Sequence, residues 1–413
     1  MKARAIVIGG SLGGLFAANL LHDLGWEVDV FERVRDDLAS RGAGIGTHHE
    51  LLAVLARLGI EIDERIGAKV GDRICLDSAG NPVHRTPWGH TMSGWANVYR
   101  PLKDRFPASH YHFGKSFSAL ERERGEIVAH FDDGSQARAD LLIGADGLRS
   151  AVRAWLFPGT EPAYAGYVAW RGMVEENAIP ADLKNWLGND YYFVLPPGEM
   201  MLCYPVPARD ESFTPGRRDW NYVWYRPATQ EELQDLCTDA TGRHHGSAMP
   251  PPLIRPDVIA KIKDQARSLL APQVARIVER SQPFFQAIFD VESPRLAAER
   301  VVLLGDAAFV ARPHVGMGVT KAALDALCLA KSIERCSGEH GGDLDTALGR
   351  YDRLRGEFGR RCVARARRLG SYIEARARPA AGWTAEALGQ NPERVLREVA
   401  AALSEIPELA LET

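Results

Sequence analysis

Gly305-Asp306-Ala307-Ala308-Phe309-Val310-Ala311-Arg312-Pro313-His314-Val315-Gly316-Met317-Gly318 is the stretch on which the reading of this chain turns. The apolar run 301–304 just before it reads as a short buried strand. The run stops at Gly305-Asp306, a loop with Pro313 follows, and a long helical pattern begins near Gly316. The first turn of a helix holds unpaired N–H groups and about half a positive charge. A strand, an acid, a glycine-bearing turn and a helix start therefore suit a nucleotide-like group, either an anion or a ring that becomes anionic in turnover.

A second glycine-rich turn lies at the other end of the chain. An apolar strand over 5–8 leads into Gly9-Gly10-Ser11-Leu12-Gly13-Gly14, then a helical pattern to residue 24 with Gly25 as its stop. A strand over 27–31 ends in Glu32-Arg33. An acid about twenty residues after the first glycine is the spacing of a dinucleotide-binding βαβ unit, where the glycines admit a pyrophosphate and the acid takes ribose hydroxyls. Ser11 stands where the second glycine usually sits. Two such turns serving one group imply a long dinucleotide held at both ends, and FAD fits that better than NAD.

The 413 residues predict two or three domains around a large core. With 46% apolar and 25% charged residues the composition is that of an ordinary soluble protein. A net charge of −4 argues against nucleic acid or an acidic lipid surface as partner. No apolar run approaches the roughly 20 residues of a membrane span. The chain opens Met1-Lys2-Ala3-Arg4 and enters a strand at once, so the expectation is a cytoplasmic protein without a targeting segment. Six scattered cysteines without Cys-x-x-Cys read as reduced thiols. His244-His245 has no third ligand at metal spacing, so no metal site is expected.

Arg41-Gly42-Ala43-Gly44-Ile45-Gly46 reads as a flexible loop before a helix over 48–58, and 75–85 as a hairpin around Ser78-Ala79-Gly80-Asn81. Arg100 opens a short helical piece; its fork suits a phosphate, or is simply solvated. Residues 117–143 alternate as a three-stranded meander and end in Gly144-Ala145-Asp146-Gly147. From about 164 to 290 aromatic strands (164–173, 191–195, 200–205, 220–225) mix with helices near 231 and between 257 and 279, an antiparallel α+β insertion. A helix follows Gly318 to about 335, a second runs over 348–378, and the tail 383–411 reads as helical. The arginines of the second, Arg360, Arg361, Arg365, Arg367 and Arg368, read as a solvated or subunit-facing surface. The expected organisation is thus 1–160 and 296–375 for one α/β domain, 161–295 for the insertion and 376–413 for a helical tail.

Three motifs now stand in order: the Gly9 turn with Glu32; Asp140-x-x-x-Gly-Ala-Asp-Gly-x-x-Ser-x-x-Arg153; and Gly305-Asp306 leading to Pro313-x-x-Gly316-x-Gly318 and Ala322 to Asp325-Ala326. The set resembles the single-component FAD-dependent aromatic hydroxylases of the para-hydroxybenzoate hydroxylase type, over nearly the whole chain. Tyr164-Ala165-Gly166-Tyr167-Val168-Ala169-Trp170-Arg171-Gly172 and Arg312-Pro313-His314 look like the 2,6-dihydroxypyridine hydroxylase branch. Met317 stands where many relatives carry glutamine and Thr320 where many carry asparagine, so no side-chain polar contact is carried over there.

The resemblance implies a Rossmann-like FAD-binding domain, an inserted antiparallel substrate domain and C-terminal helices. It implies Gly9, Ser11, Leu12, Gly13 and Gly14 at the pyrophosphate, Glu32 and Arg33 at the adenosine end, and Arg41, Gly44 and Ile45 along the ribityl chain and flavin. It further implies Arg100 on the phosphate side, Asp306 on the ribityl chain, and the N–H groups of Val315, Gly316, Met317 and Gly318 at the flavin edge. NADH or NADPH would reduce the flavin, dioxygen would form a flavin hydroperoxide, and a hydroxylated aromatic ring would take its distal oxygen. His314 is the candidate for helping a ring hydroxyl lose its proton, or else it fixes its own loop by hydrogen bonds. Pro313, Tyr192 and Tyr204 are candidates for the substrate pocket, and a homodimer is the family expectation. Three other readings stand beside this one. A flavin halogenase would show Trp-x-Trp-x-Ile-Pro, to which Trp220-Asn221-Tyr222-Val223-Trp224 is the nearest text. An NAD dehydrogenase would not need the Gly305-Asp306 stretch. A non-catalytic flavin sensor would bind the cofactor without turnover.

Overall fold

The computed structural model describes residues 2–38, 44–61, 66–123, 125–208, 212–337, 343–377 and 390–409. Two large sheets organise it. The first has six strands in the order Ala297–Ala298, Val301–Leu303, Leu141–Gly144, Arg4–Ile8, Glu27–Glu32, Tyr111–Phe113. Ile6 lies opposite Asp29 on one side and Leu142 on the other, both in parallel register, and Leu142 in turn lies opposite Val301. The short edge strand Ala297–Ala298 runs antiparallel. Parallel strands are covered on both faces and so read as unbroken apolar runs; Val7, Ile143, Val301 and Val302 are fully buried. The helices Leu12–Asp23 and Gly318–Ser337 pack side by side, and the long helix Leu344–Ala377 packs on the latter. Strands from residues 4–32, 141–144 and 301–303 meet here, so the chain leaves this sheet after Gly144 and returns to it near residue 297.

The second sheet has eight strands, in the order Phe309–Val310, Phe284–Glu292, Ala163–Glu175, Asp219–Pro227, Met200–Val206, Tyr191–Val194, Arg73–Leu76, Pro82–Thr86. Its pairs are antiparallel except Tyr191–Val194 with Arg73–Leu76. Side chains alternate between the faces of a strand, and that alternation decides what each aromatic residue does. Trp170, Tyr192, Trp220 and Trp224 point to one face, under the helices Pro256–Leu269 and Pro272–Arg280. Tyr167, Tyr191, Tyr204 and Tyr225 point to the other.

Several readings are corrected. The strand Phe284–Glu292 has no counterpart in the sequence analysis. The segment read as a loop contains the strand Gly44–Thr47, paired with Thr91–Gly94. The helical stretch 257–279 is two helices, because Pro272 cannot donate to a preceding turn and starts a new one. Arg100 lies within the helix Trp95–Arg105, not at its start. The tail holds the short helix Pro392–Glu398 and two single 3₁₀ turns, while 383–389 and 410–411 lie outside the described residues. The arginine face of the long helix is mostly intramolecular: Arg365 donates to the Glu398 carbonyl (3.1 Å) and pairs with Glu408, Arg368 pairs with Glu398 (2.7 Å), and Arg367 with Asp290 (3.2 Å).

Among the described residues no helix is long and apolar enough to cross a membrane, and no three His, Cys, Asp or Glu are grouped to hold a metal ion.

Candidate active site

The Gly9 turn forms the wall of a cavity of about 460 Å³ together with Ser11, Glu32, Arg33, Trp95, Lys115, Asp146 and Arg149. Gly9 has φ +105°, and a Cβ there would lie 2.5 Å from the Ala145 carbonyl oxygen. A Cβ on Gly14 would lie 1.9 Å from the Gly9 oxygen, and one on Gly10 would lie 2.1 Å from the Tyr111 hydroxyl. These glycines let strand, turn and helix cross in contact. The Glu32 carboxylate accepts from the N–H of Gly10 (2.8 Å) and of Val34 (2.9 Å), which holds the acid at the cavity wall. Ser11 gives the helix Leu12–Asp23 no side-chain cap, and its carbonyl accepts from Leu15 N–H (2.9 Å). The N–H groups of Leu12, Gly13 and Gly14 are then the open donors of that helix end. The side of Gly13 faces Leu304, and the Leu12 side chain is core, so these two contribute through their backbone.

A second cavity, of about 690 Å³, lies between the two sheets. Gly44, Ile45, Gly46, Asp306, Pro313 and residues 315–319 line one side, Tyr191, Tyr204, Val223 and Tyr225 the other, with Trp88, His90 and Ala400 on the wall. Arg149 lines both cavities. The Gly305-Asp306 turn is fixed from beneath: Asp325 accepts from Gly305 N–H (3.0 Å) and from Arg355 Nε (2.6 Å), and Lys321 Nζ donates to the Gly305 oxygen (2.6 Å). The Asp306 side chain faces the open cavity, yet the protein packed around it raises its carboxyl above the usual range, against the pull of Lys321.

The loop 313–318 differs from its expected role in one respect. Val315 N–H donates to Arg312 O (3.4 Å) and Gly316 N–H to Pro313 O (2.9 Å), so both amides are engaged within a 3₁₀ turn. The amides of Met317 and Gly318 meet no backbone acceptor among the described residues, and the space beside the Gly318 Cα is open. The helix end therefore offers fewer donors than expected, at its last two loop positions.

His314 does not line the cavity. It is fully buried behind the loop, its Nε2 2.7 Å from the Tyr167 hydroxyl and its ring against Tyr225 and Gly370. Burial, and then the nearby Arg312, lower its pKa to about 3. This geometry matches the loop-fixing reading and takes His314 away from a substrate ring. Tyr192 faces away as well: its hydroxyl donates to Leu187 O (2.9 Å), and its neighbour Tyr191 lines the cavity instead. Tyr204 and Pro313 do line it. Arg100 is exposed and lines neither cavity, and Arg41 lies outside the described residues.

The residues that sequence reading missed are Arg149, Arg171, Tyr191, Tyr225, Ala400 and the Trp88-Gly89-His90 segment. Trp88 and His90 stack with ring centroids 4.3 Å apart. His48 is also on the wall, with Nδ1 2.9 Å from Thr320 Oγ1; burial, and then His90, lower its pKa to about 4. Thr320, given no polar contact by the resemblance, thus makes one inside the protein. A Gly-Thr-His-His run after a glycine loop and an isolated Trp-Gly-His were the signals available.

Two cavities sharing Arg149, glycine crossings with no room for a Cβ, and a helix start at each cavity fit a dinucleotide whose ring system reaches the second cavity. A family model described as FAD binding domain-like matches residues 164–290. The chain is 32% identical over 330 residues to 2,6-dihydroxypyridine 3-monooxygenase of Paenarthrobacter nicotinovorans, across 79% of this chain and 82% of that protein. It is 28% identical over 402 residues to the FAD-dependent urate hydroxylase of Klebsiella pneumoniae, across 87% of this chain and 96% of that one. The solved structure of 2,6-dihydroxypyridine-3-hydroxylase from Arthrobacter nicotinovorans superposes with a TM-score of 0.83 at 28% identity, covering 94% of this chain and 97% of that chain. With fold, cavities and relatives in agreement, the chain belongs to the single-component FAD-dependent aromatic hydroxylases of the para-hydroxybenzoate hydroxylase type.

Proposed function

We propose that this enzyme hydroxylates a ring that carries both nitrogen and hydroxyl groups, a hydroxypyridine or related N-heteroaromatic, with NADH or NADPH as the transient reductant. One atom of dioxygen enters the ring and the other leaves as water. The observation that carries the reading is the single cavity of about 690 Å³ with Asp306 and the Met317–Gly318 amides on one wall and Tyr191, Tyr204 and Tyr225 on the other. Such a space takes a flavin ring system and one small aromatic ring between them. The choice of ring is supported by relatives named for 2,6-dihydroxypyridine and for urate, both nitrogen heterocycles bearing oxygen.

FAD, when bound, passes electrons from the nicotinamide to dioxygen and delivers the oxygen atom; the protein supplies position, charge and dryness. In this reading the amides of Leu12, Gly13 and Gly14 hold the pyrophosphate, Glu32 the ribose and Asp306 the ribityl chain. Met317 and Gly318 N–H place partial positive charge beside the flavin edge that gains electrons. The tyrosine wall holds the substrate ring and, with Val223 and Ile288, keeps water away from it.

The test is anaerobic stopped-flow reduction of the holoenzyme by NADH, with and without 2,6-dihydroxypyridine. Acceleration by the ring of about tenfold or more is expected, since reduction gated by substrate avoids wasted peroxide. Fast reduction without any ring would reject the hydroxylase reading in favour of a reductase or oxidase.

A further inference from the structure

Among the described residues, Arg171 is the one cation on the tyrosine wall of the cavity, and no acidic partner is paired with it there. It sits at the middle of the strand Ala163–Glu175, opposite Phe284 on one side and Val223 on the other. Its Nη1 donates to Gln286 Oε1 (3.0 Å). Its Nε is buried and has no hydrogen-bond partner among the described residues, and none of the ion pairs of those residues includes it. Tyr204 and Tyr225 are close enough to feel its charge, which works against the upward pull of burial on both phenols. The acid on the opposite wall, Asp306, belongs to the cofactor side of the cavity.

The guanidinium is half-buried, and its buried Nε, beside Val223, Phe284 and two phenols, is costly to leave unbonded unless something satisfies it. Gln286 pins one nitrogen and so sets the plane of the fork. The edge left over, Nε and the second Nη, is the edge that meets two oxygens side by side. We infer that Arg171 is the specificity-determining residue of this cavity and that the ring binds as an anion, with a negatively charged oxygen against the Nε edge of Arg171. The inference rests on the hydroxylase reading for the ring itself. The charged oxygen has two chemical sources, an ionised ring hydroxyl or a carboxylate substituent, and both present the same acceptor to the fork.

The experiment is titration of the oxidised holoenzyme, followed by the flavin absorbance band, with two matched pairs: benzoate against benzamide, and 2,6-dihydroxypyridine against 2,6-dimethoxypyridine. Wild-type protein should prefer the member that can carry the charge by about tenfold or more. Arg171→Gln should remove that preference at unchanged flavin content, and Arg171→Lys, which keeps the charge without the fork, should retain part of it. Preference within the first pair identifies a carboxylate, and preference confined to the second an ionised hydroxyl. Equal binding within both pairs, or a preference that survives in Arg171→Gln, overturns the inference; if Arg171→Gln fails to fold, Arg171→Lys binding both pairs as wild type does so equally. Product formation is measured separately. Hydroxylated product with no dependence on Arg171 sinks this inference alone, whereas an Arg171-dependent anion preference with no product from any ring sinks the hydroxylase reading alone.

Discussion

At the scale of single residues, His314 shows how burial overrides chemical suitability. A histidine in a loop beside a cofactor is the natural choice of proton acceptor, but this one faces Tyr167, Tyr225 and Gly370 in a fully buried site. Its pKa falls from 6.5 to about 3, chiefly because burial disfavours the charged ring. The folded pKa lies below the unfolded one, so the unfolded chain binds the proton first as pH drops. The stabilisation is complete above pH 6.5 and is lost as pH falls from 6.5 toward 3, by up to about 1.4 kcal/mol per pH unit. His48, lowered to about 4, adds the same trend over a shorter window. Urea unfolding of the apoprotein between pH 7 and pH 5 should therefore show a shallower slope in His314→Asn than in wild type, by about one proton. Equal slopes would mean that His314 is already charged or exposed. The same scale explains why Tyr204 lines the cavity as expected while Tyr191 takes the place expected of Tyr192: Tyr191 and Tyr192 are adjacent in sequence, and a strand sends neighbours to opposite faces. The sequence marks that strand but not which face meets the cavity, because both faces are covered by aromatic residues.

At the scale of elements, the two glycine turns were legible because each needs backbone geometry that few residues allow. Gly9 has positive φ and no room for a Cβ, and Gly14 touches the Gly9 carbonyl. The C-terminal segment was not legible, since its role depends on partners hundreds of positions away. Arg73, 1% exposed, donates to the carbonyls of Leu396 and Ala400 (2.8 Å for the latter) and lies 3.9 Å over the Trp88 ring. Ala400 N–H donates to His314 O (2.8 Å), and Ala400 lies against Gly316, so this segment braces the 313–318 loop from outside. Arg365 and Arg368 tie the same segment to the long helix through Glu398 and Glu408. Arg73→Met should leave the buried Leu396 carbonyl and the partly buried Ala400 carbonyl without this donor and cost roughly 2–4 kcal/mol. Protease cleavage within 390–409 should speed up and flavin affinity should fall. An unchanged cleavage pattern would show that Arg73 does not hold the segment.

At the scale of the whole molecule, function depends on the chain crossing between two sheets. The parallel sheet was readable from its apolar runs and the spacing of Gly9 and Glu32. The antiparallel sheet was readable as a kind, but the strand Phe284–Glu292 and the joining of the 73–86 hairpin to it were not. Long-range pairing leaves no local signal, and that hairpin carries its own turn whichever sheet it joins. Where the sheets face each other, the structure sets the Gly305-Asp306 turn and the Met317–Gly318 amides across from Tyr191, Tyr204 and Tyr225. The central claim is that this gap is where oxygen enters a nitrogen-containing ring. The most direct measurement is a single turnover of the reduced holoenzyme with isotope-labelled dioxygen and 2,6-dihydroxypyridine, followed by mass analysis of the ring. One labelled oxygen atom bound to a ring carbon is the predicted result. Labelled hydrogen peroxide with an unaltered ring, across hydroxypyridines and related heterocycles, would contradict it.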